Sequence, residues 1–125
     1  MRSLFVFPAL ERAEAVRRAG VAGARTDLPI GVSEADQRVL VWAELFEDLP
    51  ARNFTPEDVA EVERVSGFRP TWGIEVAISG HLPDSRQRDV RILTTWLLSD
   101  GGCATSIDVD EFRTAQQWQE VWARD

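Results

Sequence analysis

The stretch Gly67–Asp108, GFRPTWGIEVAISGHLPDSRQRDVRILTTWLLSDGGCATSID, decides the fold. Residues 72–79, WGIEVAIS, alternate Ile74, Val76 and Ile78 against Glu75, Ala77 and Ser79, the two-residue period of a strand with one buried face. Gly80 and Pro83 end it, and Asp84 or Ser85 opens a helix. Val90, Leu93 and Leu97 give that helix its apolar stripe, and Ile92 and Trp96 are expected to broaden it. Asp100-Gly101-Gly102 stops the helix, and CATSI at 103–107 follows as a short strand.

On the N-terminal side of this stretch stands the best-marked helix of the chain. Thr55 is its cap, Pro56 suits its first position, Asp58 sits where a capping-box acid belongs, and Phe54 can staple onto Val59. Val59, Val62 and Val65 form the inward stripe, Gly67 suits a left-handed stop, and Phe68 folds back toward Val62.

Residues 38–46, RVLVWAELF, read two ways: Ser33-Glu-Ala-Asp36 resembles a capping box, while the continuous VLVW run suits a buried strand. The strand is the narrow preference. Gly20 to Gln37 reads mainly as loop. Before it, SLFVF at 3–7 reads as a strand ending at Pro8. Residues 9–19 read as a helix with Leu10, Ala13 and Val16 inward and Glu11, Glu14, Arg17 and Arg18 outward. At the far end, the segment from Asp110 places Phe112, Ala115, Trp118 and Trp122 along one helical side, with Asp110 and Glu111 at the positive end of the helix dipole.

Four strands alternating with four helices in 125 residues imply one α+β domain spanning 1–125. The expectation is a two-layer α/β sandwich with a mixed sheet of about four short strands.

The 14 basic residues are all arginine, against 21 acids, for a net charge of −7. The charge is uneven: +2 over residues 1–32, −6 over 33–67 and −3 over 68–125. An acidic middle repels nucleic acid and anionic membrane and is compatible with a basic protein partner. The one local arginine group, Arg86, Arg88 and Arg91, stands beside Asp84 and Asp89 and reads as a solvated helix face. No apolar run approaches a membrane span. The run LFVFPAL stops at Glu11-Arg12, with Arg17-Arg18 ahead of any small-residue cleavage site, unlike a signal peptide. A single cysteine excludes an intrachain disulfide and a cysteine-based zinc site, so the cytoplasm is the expected compartment.

His81 and Cys103 are each the only residue of their kind, and a Cys–His nucleophile pair would need both; no local motif supports one. Asp108, Asp110 and Glu111 lack the glycine and the remaining ligands of a calcium loop, and carboxylates there serve more simply at a helix start. There is no GxxxxGK[ST] and no GxGxxG after a strand, so no nucleotide or other cofactor is expected. Trp42, Trp72 and Trp96 lie in apolar segments and read as core. Trp118 and Trp122, set among Gln116, Gln117 and Gln119, read as packing of a final helix or as interface anchors.

Over its C-terminal half, from Gly67 onward, the chain resembles the small immunity proteins that bacteria encode beside polymorphic toxins: a small acidic α+β chain with GFRP before a strand and WLLSDGGCATSID at a helix–Gly-Gly–strand junction. The resemblance implies binding and blocking of a toxin domain without chemistry of its own. Independently, an acidic face would speed encounter with a basic nuclease-type partner. Glu44, Glu47, Asp48, Glu57, Asp58 and Glu61, together with Trp118 and Trp122, are the candidate partner-binding residues. The rival expectation is a homo-oligomeric structural or regulatory domain with Trp118 and Trp122 in a self-interface; a small enzyme using His81 and Cys103 is third.

Overall fold

The computed structural model describes residues 2–25, 41–78, 84–106 and 109–124. The elements are β1 (Arg2–Pro8), α1 (Arg12–Arg25), β2 (Val41–Phe46), a 3-10 turn (Pro50–Arg52), α2 (Pro56–Ser66), β3 (Gly73–Ile78), α3 (Asp84–Leu97), β4 (Gly102–Ser106), β5 (Val109–Arg113) and α4 (Ala115–Arg124). The five strands form one sheet in the order β2-β3-β1-β4-β5.

The α+β sandwich expected from the sequence is present; among the described residues its sheet is antiparallel at every pairing rather than mixed, and of five strands rather than about four. β1 and β2 run the same way but are separated by β3, and β3 and β4 run the same way but are separated by β1. The passages through α1 and α3 therefore each skip one place, the split β-α-β arrangement, while α2 joins the neighbours β2 and β3, and no parallel pair forms among the described residues.

Alternation along β1 sends Leu4 and Val6 to one face of the sheet and Phe5 and Phe7 to the other. On the first face, Leu4, Val6, Ile74, Val76 and Ala104 meet Ala15 of α1, Val90, Leu93 and Leu97 of α3, and Trp118 of α4. The reverse face is covered too: α2 and the 3-10 turn lie there over a second cluster holding all six phenylalanines of the chain. Phe5 and Phe7 meet the ring of Phe54 edge-on at 5.1 and 5.2 Å, and Phe46 stacks on Phe54 at 6.0 Å. Aromatic pairs of this geometry contribute about 0.5–1.5 kcal/mol each beyond their buried area.

The start signals of α2 are realised. The Thr55 hydroxyl accepts from the Asp58 amide at 3.2 Å, the Asp58 carboxylate accepts from the Thr55 amide at 2.9 Å, and Gly67 closes the helix at φ 83°. Val62 is fully buried; Val59, Val65 and Phe68 are half-buried around it, and the staple partner Phe54 joins the same cluster. The Gly-Gly stop is also used: Gly101 and Gly102 take φ 112° and 107°, and a Cβ on Gly102 would lie 2.3 Å from the Phe7 carbonyl oxygen. Only glycine lets β4 start that close to β1.

Four expectations are corrected. First, α1 starts at Arg12 and continues through Gly20 and Gly23 to Arg25, into the region read as loop. Packing on α3 outweighs the cost of two helical glycines, about 1 kcal/mol each. Its buried face also differs from the expected one: Ala15 is buried, while Ala13 and Val16 are exposed. The rest of the expected loop, from residue 26, lies outside the described residues, as do residues 38–40 of the strand expected over 38–46. Second, Arg18 points inward and is 13% exposed: it donates to the Trp96 carbonyl, the Ser99 hydroxyl and Asp100, fastening α1 to the end of α3. Third, Ile92 is 46% exposed rather than part of the buried stripe, because Val90, Leu93, Leu97 and Leu98 fill the contact. Fourth, the C-terminal helix does not begin at Asp110. Residues Val109–Arg113 form β5, and Phe112 belongs to the phenylalanine cluster. The helix is capped instead at Thr114, whose amide donates to Gln117 Oε1 at 2.9 Å while its hydroxyl accepts from the Gln117 amide at 3.4 Å. The alternation of Val109, Glu111 and Arg113 against Phe112 and the Thr114-x-x-Gln117 spacing were the signals for this boundary.

Candidate interaction surface

Residues 43–66 carry seven carboxylates against Arg52 and Arg64, a balance of −5. Glu44 lies on β2, Glu47 and Asp48 in the connection that follows it, and the other four on α2, which with the 3-10 turn covers the phenylalanine side of the sheet. The helices packed on the other face, α1, α3 and α4, hold eight arginines against four acids, a balance of +4. The sheet thus divides the charge of its helical layers as well as its two cores.

The six candidate acids have distinct local settings. Glu44 and Glu75 stand opposite each other on β2 and β3, and Arg52 reaches from the 3-10 turn to bridge both, 3.3 Å from Glu44 and in direct contact with Glu75. Its guanidinium lies 5.4 Å from the centre of the Phe46 ring. Two like charges across a strand pair repel, and the arginine between them turns the repulsion into a clamp. Glu47 pairs with Arg12 at 2.6 Å and is 61% exposed. Asp48 accepts from the Ala51 amide at 3.2 Å, capping the 3-10 turn. Glu57 is exposed, with no ion pair among the described residues; Asp58 serves the capping box; Glu61 binds Arg64 one turn on, which holds its carboxyl below the usual range.

The two candidate tryptophans are not a flat exposed patch. Trp118 is 4% exposed, and its indole Nε1 donates to the Ala104 carbonyl at 3.0 Å, where the β4–β5 register shifts. Arg113 lies 5.0 Å over its ring, Trp122 stacks against it at 5.7 Å, and Arg91 lies 5.5 Å over Trp122. This ladder of two cations and two indoles binds α3, α4 and β5 together. Trp118 is therefore a packing residue, and Trp122 is half-buried beside it.

Cys103 is fully buried on β4 within the phenylalanine cluster, and desolvation pushes its thiol pKa up. A thiol in that setting stays protonated and inaccessible, which suits packing and not nucleophilic attack. His81, Asp108 and the side chains of Arg86, Arg88 and Asp110 lie outside the described residues.

One feature that no sequence motif marked is an open groove of about 450 Å³ between the β1–α1 connection and the α2–β3 connection. Its lining includes Pro8, Leu10, Phe68, Pro70 and Trp72, with Glu11 and Arg69 among its walls. The two walls come from distant parts of the chain, and the β1–β3 pairing brings them together. No helix among the described residues is long and apolar enough to cross a membrane. No protein-family model, no curated protein and no solved structure matches this chain.

Proposed function

We propose that this chain is a non-catalytic protein-binding domain of the immunity type, which takes up a basic toxin domain on the acidic side formed by β2, the 3-10 turn and α2. The observation that carries this reading is the uneven charge: residues 43–66 balance to −5, and within them the 3-10 turn and α2 to −2, against +4 for the helices on the other face. A one-sided field orients a basic partner before contact and raises its association rate by about 10- to 1,000-fold at low salt. Glu44, Glu47, Asp48, Glu57 and Glu61 supply the field, while Asp58 also fixes the helix that presents it.

The test is co-expression with the product of the adjacent reading frame. That product should arrest growth alone, growth should return when this chain is present, and the purified pair should associate more slowly as salt rises. Changing Glu47, Glu57 and Glu61 together to glutamine should slow association by about tenfold. Failure to restore growth, or an association rate indifferent to salt, would sink the reading.

A further inference from the structure

β2 is an edge strand whose outer side meets no other strand among the described residues. Natural edges are usually blunted by a proline, a bulge or a charge directed against pairing. β2 has no proline, and all six of its residues pair with β3 in unbroken register, whereas the pairing at the opposite edge, β4 with β5, shifts register. Its one charged residue, Glu44, is held by Arg52 on the phenylalanine face. The outward N–H and C=O groups along this unbroken register thus form a regular row that can template another strand.

The chain leaves this edge directly into Glu47 and Asp48, so the hydrogen-bonding row ends among carboxylates. Glu44 and Glu47 are both more than half exposed. We infer that β2 is the docking edge of the proposed partner, which adds a basic extended segment antiparallel or parallel to it, its arginines or lysines facing Asp48 and sharing the half-exposed Glu44 and Glu47 with Arg52 and Arg12. This inference rests on the acidic-side reading and names the element that performs it. The same carboxylates disfavour a second copy of this chain, because pairing two β2 edges would bring two surfaces of like charge together.

The test uses the whole protein, labelled with ¹⁵N, and a blocked twelve-residue peptide alternating arginine with valine and threonine. A second peptide of the same sequence is N-methylated at alternate residues, which keeps the charge and removes the hydrogen bonds along one edge. The first peptide should shift the amide resonances of residues 41–46 and bind about tenfold more tightly than the second, the equivalent of about 1.4 kcal/mol. Equal binding of the two peptides overturns the edge assignment and leaves the acidic side standing. Absence of binding by either at low salt overturns both. Concentration-dependent protection of the β2 amides without peptide overturns the assignment in favour of a second copy.

Discussion

Replacing Trp118 with phenylalanine tests the most specific contact in the molecule. The substitution keeps an aromatic ring in the core but removes the Nε1 donor, leaving the buried Ala104 carbonyl without its indole partner. An acceptor stranded in this way costs about 1–3 kcal/mol. The smaller ring also gives up roughly 40 Å² of buried contact against Trp122 and Arg113, worth about 1 kcal/mol. Together the loss is about 2–4 kcal/mol, and with a urea dependence of about 2 kcal/mol per molar the unfolding midpoint should fall by about 1–2 M. Trp122, half-buried on the outside of the same stack, should lose about 1 kcal/mol in the equivalent change. Equilibrium unfolding followed by far-ultraviolet circular dichroism reads both. A Trp118→Phe protein within about 0.5 kcal/mol of the parent would refute the packing role derived for this residue.

Thr55→Ala removes one half of the capping box of α2 and should cost about 1 kcal/mol in the same assay, while Thr55→Ser should cost little. Arg52→Met leaves Glu44 and Glu75 facing each other across β2 and β3; it should destabilise by about 1–2 kcal/mol, part of which Glu75→Gln in the same chain restores. Hydrogen bonds from Arg17 and then Arg18 lower the pKa of Glu14 from 4.5 to about 2. Because the folded value is the lower one, this carboxylate stabilises fully above pH 4.5 and loses its contribution as pH falls toward 2. A carbon-detected titration of the Glu14 side chain should show the depressed midpoint, and Glu14→Gln should flatten that part of the stability curve.

Local pattern carried a large part of the fold. The alternation in 72–79, the Thr55–Asp58 box, the left-handed Gly67 and the Gly101-Gly102 stop each depend on residues within a few positions of one another, and each is realised at its expected place. The boundaries that moved are those where a local cue competed with packing. Gly20 and Gly23 looked like loop residues but lie in a helix that Arg18 ties to α3, and Asp110 looked like a helix start but lies on a strand that delivers Phe112 to the core.

The acidic segment was legible as composition, since charge can be counted without coordinates. That α2 and the 3-10 turn of this segment cover the face opposite α1, α3 and α4 was not, because the side is set by sheet order and by which residues alternate toward which helices. The same holds for the Glu44–Arg52–Glu75 clamp, whose three members come from separate elements, and for the burial of Trp118, which packs in the core of the first face and bonds to Ala104 of β4. The sequence by itself determined the presence of four helices, four of the five strands and the sign of the charge, through short-range sterics, capping and periodicity. Tertiary structure alone decided which faces meet, which strand is left at the edge and which charges are neutralised, because those follow from pairings between residues far apart in the chain.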